Sequence, residues 1–366
     1  MLSRYLVGAA SARTGDEMSG TALLLLGLSV AGSPVAASML LAGLTISSAV
    51  GGPLFGTLLD RTRTPGRVLA VALAAYALGL TTVLTTLGHL PLPAVVALAV
   101  LTGLFNPAIA GGWTSQLPRI ADDLDRATAL DALTFSAASL VGPALAALVA
   151  EWAGASTATA TAIGLVVLAL PSAWSLPGHT PTAPRRTKLV VSRALWRVTA
   201  TSTVSYVAVG MSVISYPLLG ERNLGSPARG ALLLAVLAAA SLTANALLSR
   251  HPLRRRPDEV VFASTVVLAA SLALCLLPGP WVVLAAVVAG LGEGPQLTAL
   301  FAVRHREAPE HLRARVFTTG ASLKIAGFAV GSALSGPLAA NSLTGCLLAA
   351  AAVQSLAAMA YLAFGD

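Results

Sequence analysis

Long apolar stretches recur along the whole chain, each bounded by proline, glycine or charged residues. A helix needs about 20 apolar residues to cross the hydrocarbon core of a bilayer, so twelve such helices with short loops fit this length. The sequence predicts an all-α integral membrane protein with twelve transmembrane helices. The predicted spans are residues 4–31, 34–59, 67–88, 92–117, 126–152, 155–176, 193–219, 227–249, 258–278, 280–303, 315–338 and 342–364.

The composition excludes a soluble fold, because 56% of the residues are hydrophobic and only 10% are charged. Soluble domains carry about 25% charged residues. The net charge of +8 is typical of nucleic-acid binders, but the basic residues lie in short clusters between apolar stretches, so no nucleic-acid partner is predicted. Cys275 and Cys346 both lie inside apolar stretches, and neither a metal site nor any cofactor is expected.

Basic residues occupy every second loop, and this alternation predicts orientation. Cytoplasmic loops of membrane proteins carry an excess of Lys and Arg, so the basic loops and both termini are predicted to be cytoplasmic. The scarcity of lysine beside abundant Arg, Ala and Gly is typical of a GC-rich bacterial source, which indicates a bacterial plasma membrane. The clusters are Arg4; Arg61, Arg63 and Arg67; Arg119 and Arg126; Arg185, Arg186, Lys188, Arg193 and Arg197; Arg250, Arg254, Arg255 and Arg256; and Arg304, Arg306, Arg313 and Arg315.

The chain repeats itself with an offset of 189 residues. Leu58-Leu59-Asp60-Arg61 and Leu247-Leu248-Ser249-Arg250 are related by this offset, and so are Gly142 and Gly331. Two six-helix halves of the same orientation follow, as in transporters built from parallel repeats around a central cavity. The predicted domains are 1–176 and 193–366, joined by a cytoplasmic linker at 177–192. Two such halves are complete as a monomer.

Two short motifs resemble those of a known transporter family. The segment Gly52–Arg61, followed by Gly66-Arg67, resembles the loop 2–3 signature of the major facilitator superfamily at Gly56, Asp60, Arg61, Gly66 and Arg67, with two extra residues before Gly66. Gly142-Pro143 in span five resembles the signature of drug/proton antiporters in that superfamily. The resemblance implies the twelve-helix fold and secondary transport. It also implies that Asp60 and Arg61 belong to a cytoplasmic gate, the alternative being an ordinary solvated loop.

Span one carries a further resemblance. Gly15-Asp16-Glu17-Met18 is similar to the multidrug, macrolide and siderophore exporter branch of that superfamily. Span four departs from the pattern, because proton-coupled antiporters often carry an arginine there, whereas this span holds Asn106 and no charge. Asn106 is a candidate residue for lining the cavity.

Five charged residues lie inside predicted spans, where each charge costs roughly 2.5–3.5 kcal/mol even on insertion scales. They must therefore be paired, neutralised or turned toward water, and they are the candidates for proton coupling or substrate contact. They are Arg13, Asp16, Glu17, Glu293 and Lys324.

Arg13, Asp16 and Glu17 fall on one helical face by their i, i+3, i+4 spacing. On the functional interpretation, this face lines the cavity, and one carboxyl takes up a proton or contacts a cationic substrate. The alternative is that Arg13 merely neutralises one acid within the helix. Asp131, in the first turns of span five, is interpreted as a helix-start acid, with a gate network as the alternative.

Glu293 lies in a segment rich in glycine that ends at Pro295, and this composition predicts a weakened or kinked helix with an acid beside it. The alternative is that Glu293 pairs with Lys324 between helices. Lys324 is either that structural partner or a group that contacts an anionic substrate.

The function predicted from these observations is secondary active transport, with protons or another ion driving efflux of small amphipathic compounds. Uptake of a small nutrient by symport on the same fold, or a non-transporting membrane sensor or scaffold, are the alternatives. The chain has no His-Glu-x-x-His, no Gly-x-Ser-x-Gly and no Gly-x-x-x-x-Gly-Lys-Ser/Thr motif, so neither an enzyme nor a nucleotide-driven pump is predicted. The predicted partners are the lipid bilayer, a small-molecule substrate and protons.

Overall fold

The computed structural model describes residues 1–117, 120, 122, 124–178, 192–250, 256–307 and 313–363. The chain divides into two compact units, Met1–Arg185 and Arg186–Asp366. The described structure is helical throughout. The only β feature within it is an isolated bridge between Leu87 and Leu90.

The N-terminal unit begins with a long helix that packs on several others. Proline begins α2, α4 and α8 within their first turn, where its missing N–H is harmless. α1 packs most extensively on α6 and α7, and α4 packs on α5 and α7. The helices are α1 (Leu2–Val30), α2 (Pro34–Ile46), α3 (Ser48–Arg61), α4 (Pro65–Thr86), α5 (Leu92–Gly103), α6 (Leu124–Ala153), α7 (Ala155–Leu168) and α8 (Leu170–Trp174), with a π-helical segment at Ala108–Gly112.

The C-terminal unit has a similar plan. Its first helix packs most extensively on its fifth, as α1 packs on α6, and α12 packs on both α10 and α11. The side chain of Ser192 caps the start of the first helix by accepting from the backbone N–H of Leu195, and Gly225 ends that helix with a positive φ of 83°. The helices are α9 (Arg193–Leu224), α10 (Pro227–Arg250), α11 (Pro257–Leu274), α12 (Trp281–Glu307), α13 (Arg313–Asn341) and α14 (Leu343–Ala363).

Ten segments of the described chain are long and apolar enough to cross a membrane. The two remaining predicted spans differ from these ten. Span one is α1, a 29-residue helix whose centre carries charged residues. Span four is not one helix, because α5 ends at Gly103, where a Cβ would lie 1.9 Å from the carbonyl oxygen of Leu44. Leu104 and Phe105 form a turn before helical structure resumes at Asn106, so the count of twelve spans remains a prediction.

The surface and interior of each unit are arranged for lipid. Large apolar side chains such as Val71 and Leu78 are exposed, whereas Arg13 and Asp131 are each only 2% exposed. A protein solvated by hydrocarbon places apolar groups outside and its ionisable groups inside the bundle. Exposed tryptophans near helix ends, including Trp152 and Trp281, fit the aromatic belts found at membrane interfaces.

Candidate functional site

The ionisable side chains of the N-terminal unit form two separate clusters on α1. In the first, the guanidinium of Arg13 holds the carboxylate of Asp131 from α6, with Nη1 at 2.7 Å from Oδ1 and Nη2 at 3.2 Å from Oδ2. Tyr5 and Thr114 each donate a hydroxyl to this carboxylate at 2.8 Å. The ring of Phe135 lies 3.6 Å below the guanidinium. Asp131 is thus neutralised and fully supplied with donors.

This arrangement decides how Arg13 is paired and changes the interpretation of Asp131. The within-helix pairing of Arg13 with an acid of α1 is wrong, because its ion pair among the described residues is with Asp131 on a neighbouring helix. Asp131 offers Arg13 both carboxylate oxygens and its backbone carbonyl, a bidentate geometry that an acid one turn along the same helix does not offer. Asp131 was interpreted as a helix-start acid, and the structure instead buries it in this pair.

The second cluster surrounds Asp16. Its carboxylate accepts hydrogen bonds from the Tyr76 hydroxyl of α4, at 2.6 Å, and from the Asn106 amide that follows α5. Ser19 lies 2.8 Å from the same tyrosine oxygen, and Ser48 donates to the Asn106 carbonyl at 3.4 Å. Every one of these partners is neutral. Asp16 is therefore a carboxyl inside a span whose described contacts contain no cation.

Glu17 lies at an exposed position on the surface of the unit, where Ser139 of α6 donates to its Oε1 at 3.1 Å. α6 packs tightly on the same stretch of α1. A Cβ on Gly142 would lie 2.6 Å from the Cβ of Glu17 and 2.9 Å from the backbone nitrogen of Met18. Gly142, next to Pro143, therefore lets α6 pack backbone to backbone on α1, which gives the Gly-Pro pair a packing role.

In the C-terminal unit, Glu293 and Lys324 meet through a tyrosine. The Tyr206 hydroxyl of α9 donates to Glu293 Oε1 at 2.9 Å, and Lys324 Nζ lies 3.7 Å above the centre of the same ring. Within the described residues, Glu293 and Lys324 form no ion pair with each other. The predicted association of these two residues is thus indirect, by a hydrogen bond on one side of Tyr206 and a cation–π contact on the other.

The helix that carries Glu293 is continuous. α12 runs from Trp281 to Glu307 with Pro295 inside it, and the weakening or kink expected there remains a prediction. The glycines serve packing. A Cβ on Gly290 would lie 2.2 Å from the carbonyl oxygen of Leu237, and one on Gly294 would lie 2.6 Å from that of Ser241. Small residues four positions apart let α12 and α10 approach closely, as in membrane helix pairs generally.

A further cluster, neutral and buried, lies in the C-terminal unit. Gln296 donates to Thr265 Oγ1 at 2.9 Å and to Ser205 Oγ at 3.3 Å, and Gln354 donates to Ser205 at 2.8 Å. All four side chains are at most 2% exposed. The sequence signal for this cluster is weak, because single Ser, Thr and Gln residues are common inside spans and carry no charge that demands a partner.

The gate motif is described only in part. Gly56, Asp60 and Arg61 belong to α3, but their side chains lie outside the described part of the structure. Gly66 packs against the end of α8, where a Cβ would lie 2.6 Å from the carbonyl oxygen of Ala173, and the Arg67 guanidinium lies 5.5 Å from the Trp174 ring centre. The second part of the motif thus fastens the loop after α3 to α8.

Sequence reasoning did not predict the contacts that Asp131, Tyr76 and Tyr206 make. Asp131 was the one with a usable signal, because an acid several residues inside an apolar helix needs a cation and Arg13 was the only arginine predicted inside a span. Tyrosines are as often interfacial anchors as site residues, so spacing alone could not single out Tyr76 or Tyr206.

An apolar exterior, ten span-length segments in the described part of the chain and ionisable groups held between helices define a polytopic membrane protein. The chain belongs to the Major Facilitator Superfamily, whose family model matches residues 5–332. It is similar to the uncharacterized MFS-type transporter y4rN of Sinorhizobium fredii, with 27% identity over 99% of this chain and 94% of the relative.

Solved transporter structures share the fold. The nucleoside transporter NupG matches with a TM-score of 0.78 and 13% identity, over 99% of this chain and 100% of NupG. A POT family transporter in complex with 5-aminolevulinic acid matches with a TM-score of 0.80 and 12% identity, over 99% of this chain and 95% of the other. A bacterial homologue of the iron transporter ferroportin matches with a TM-score of 0.77 and 13% identity, over 99% and 98%. The chain is a transporter that acts in a lipid bilayer on small molecules, and not an enzyme.

Proposed function

We propose that this chain is a proton-coupled exporter of small amphipathic compounds that works by alternating access. The proposal includes twelve spans in two six-helix halves, both termini in the cytoplasm of a bacterial cell, a monomeric state and kinship with the multidrug, macrolide and siderophore exporter branch. In this proposal, Asp60 and Arg61 belong to the cytoplasmic gate.

The observation that carries the proposal is the environment of Asp16. A charge inside a span must be paired, neutralised or hydrated, because hydrocarbon cannot solvate it. The nearby carboxylate of Asp131 is paired with Arg13, whereas the two side chains bound to Asp16 are the neutral Tyr76 and Asn106. A proton can neutralise such a carboxyl, and the donors Tyr76 and Asn106 stabilise it when the proton leaves. Asp16 is therefore the proposed proton carrier.

Glu293 and Lys324 are the proposed substrate-contacting groups of the C-terminal unit. Both are half-buried, and Tyr206 holds them together by contacts that a polar or charged substrate can replace. Glu17 is a second acid for the cavity wall, one residue from the proton carrier. The apolar surroundings suit amphipathic ligands with few polar groups.

The test is transport in proteoliposomes that hold the purified chain, with a screen of cationic and neutral amphipathic compounds and an imposed pH gradient. We expect at least one compound to accumulate against its gradient when the pH gradient is present. Asp16→Asn should abolish accumulation but retain downhill exchange, because Asn keeps a carbonyl acceptor for Tyr76 and Asn106 and loses only the titratable proton. Ser205→Ala is the matched control, since Ser205 lies 189 residues from Asp16, and it should retain coupling.

Three results decide between the alternatives. Coupled movement of a proton and substrate in the same direction would replace efflux by uptake symport. Accumulation by Asp16→Asn as in the wild type would refute Asp16 as the proton carrier, and Glu17→Gln or Glu293→Gln would then identify the acid. A folded protein that moves no compound with a proton or sodium gradient would contradict secondary transport by this mechanism.

A further inference from the structure

A groove runs along the outer surface of the C-terminal unit, between α11 and α14. Its volume is ≈430 Å³, and it is lined by Glu259, Phe262, Ala263, Val266 and Tyr361. The rings of Phe262 and Tyr361 lie 5.3 Å apart and form its inner wall. Glu259, Ala263 and Val266 are exposed and follow helical i, i+4, i+7 spacing, so they form one outward stripe of α11.

The end of the groove near the start of α11 carries two opposite charges. Arg256 immediately precedes the helix and is exposed, and Glu259 lies in its first turn and is exposed as well. Glu259 lines the groove, and Arg256 lies three residues before it in the chain. In the described chain neither side chain forms a salt bridge, with the other or with a third group.

The neighbouring charges differ in this respect. Asp258 is held by Arg306 at 2.9 Å and by Arg197 at 3.2 Å, and the Arg197 guanidinium lies 4.5 Å from the Tyr361 ring centre. This ion-pair network is satisfied within the protein. Arg256 and Glu259 therefore present one positive and one negative charge outward, about one helical turn apart, beside an apolar groove.

We propose that this groove binds phosphatidylethanolamine, a phospholipid whose headgroup carries a phosphate and a primary ammonium and no further charge. Arg256 would hold the phosphate, since guanidinium groups bind phosphate oxygens by paired hydrogen bonds. Glu259 would accept N–H groups from the ammonium, and an acyl chain would lie along Phe262, Val266 and Tyr361.

The chemistry favours this headgroup over the other common ones. A choline headgroup has the same charges but no N–H to donate to Glu259, and a glycerol headgroup has no cation for it at all. The position also fits a lipid, because Arg256 closes a basic loop and such loops lie at the anionic, cytoplasmic surface of the membrane. The inference uses none of the residues assigned to transport and shares with the proposed function only the cytoplasmic placement of the basic loops.

The experiment is native mass spectrometry of the purified full chain in mild detergent, with equal amounts of phosphatidylethanolamine, phosphatidylcholine and phosphatidylglycerol. We expect the ethanolamine lipid to form the dominant adduct on the wild-type protein. Loss of a hydrogen bond to a charged group costs about tenfold in binding or more, so Glu259→Gln should lower this adduct by about tenfold, toward the choline level. Arg256→Gln should lower the binding of all three lipids.

Glu221→Gln is the matched control. It removes an exposed acid near the end of α9, a helix that does not line the groove, and should leave the adducts unchanged. Thermal unfolding gives a second readout, in which added ethanolamine lipid should raise the midpoint of the wild type more than that of Glu259→Gln. Equal binding of the ethanolamine and choline lipids would overturn the proposal. The proposal would also be overturned if phosphatidylglycerol formed the dominant adduct and Glu259→Gln left that adduct unchanged. A protein that forms a dimer without bound lipid would overturn it as well.

Discussion

Gly142 of α6 lies against α1 beside Met18, and Gly331 of α13 lies against α9, where its Cβ would be 1.9 Å from the carbonyl oxygen of Val207. The two glycines are 189 residues apart, and so are Met18 and Val207. A tight contact of α6 on α1 and one of α13 on α9 are thus made at the same place in the repeat. Packing is shared between the two units.

The buried ion pair of the N-terminal unit does not follow the repeat. At the same offset, Arg13 corresponds to Ser202 and Asp131 to Gly320, so the buried ion pair of the N-terminal unit has no counterpart at those positions. In the C-terminal unit, Ser202 donates only to the carbonyl oxygen of Thr199 in its own helix, at 3.0 Å. One unit is fastened by an ion pair where the other has two small residues.

The polar clusters show the same division. Asp16 and Tyr76 correspond to Ser205 and Thr265, and in each unit this pair is bound by an amide from the next helical segment along the chain. Polar side chains therefore contact one another at the same positions of the repeat in both units, but only the N-terminal unit has a carboxyl group there, Asp16. The proposed proton-carrying role is accordingly specific to the N-terminal unit.

Arg13→Ala should have the largest effect on stability. Removing one partner of a buried ion pair leaves the other charge uncompensated and costs about 3–5 kcal/mol. The free energy of unfolding, measured by denaturant titration in micelles, should fall by that amount, while Ser202→Ala at the corresponding position should change it by less than about 1 kcal/mol. The double variant Arg13→Ala with Asp131→Ala should recover part of the loss. An equal loss of unfolding free energy in Arg13→Ala and Ser202→Ala would contradict the proposed difference between the two units.

Gly142→Ala and Gly331→Ala test the shared packing. Each adds a methyl group where backbone already lies within 3 Å, and such overpacking typically costs about 1–3 kcal/mol. The thermal midpoints of both variants should fall by similar amounts in a fluorescence unfolding assay. Gly164→Ala is the control, since no atom lies within 4 Å of its Cβ position. Tolerance at one of the two glycines alone would show that the packing is not equivalent.

Tyr76→Phe and Tyr206→Phe separate the two acids. Each change removes one hydrogen bond to a carboxylate, at 2.6 Å for Asp16 and 2.9 Å for Glu293, and should cost about 1 kcal/mol of stability. In the proteoliposome assay, Tyr76→Phe should shift the pH dependence of coupled transport, because Tyr76 stabilises the ionised form of the proposed proton carrier. Tyr206→Phe should raise KM without that shift. A pH shift from Tyr206→Phe alone would reverse the assignment.

Glu307→Gln should have the smallest effect. Hydrogen bonds from Arg306 and Ser192 hold the pKa of the Glu307 carboxyl below its usual range, so this stabilisation is present near neutral pH and is lost as the pH falls through the lowered pKa. Because the pair is partly exposed, it should contribute no more than about 1 kcal/mol at pH 7.

The difference in thermal midpoint between the wild type and Glu307→Gln should therefore shrink once the pH drops below about 4.3, the ordinary value for Glu. Glu221→Gln serves as the exposed control. A difference that grows in acid would contradict the pKa direction. Leu117 stands at the position of Arg306 in the repeat, so the N-terminal unit has no arginine there to make such a pair.

Hydrophobic stretches predicted most helices, because apolar length alone decides what can cross a bilayer. They failed at α5, which ends at Gly103 although the predicted span continues to residue 117. Gly103 packs against the backbone of Leu44, and such a tertiary contact leaves no local signal in the sequence. At Gly290–Pro295 the glycines serve close packing of α12 on α10, a role that the sequence alone did not indicate.

Site residues were predictable where charge made them conspicuous. Arg13, Asp16, Glu293 and Lys324 stood out because charges in hydrocarbon demand compensation. Their partners did not stand out, because the sequence says which groups need a partner but not which helix supplies it. Asp131 is the clearest case, since a helix-start acid and a buried ion-pair partner look alike until α1 and α6 are seen in contact.

The most direct test of the difference between the units needs no substrate. Infrared spectra of the reconstituted protein, recorded across a pH titration, report carboxyl groups that gain or lose a proton through their carbonyl stretching band. The account predicts a titrating band that disappears in Asp16→Asn and persists in Glu293→Gln, with Ser205→Ala unchanged from the wild type. A band that persists in Asp16→Asn and disappears in Glu293→Gln would place the exchangeable proton in the C-terminal unit and contradict the account.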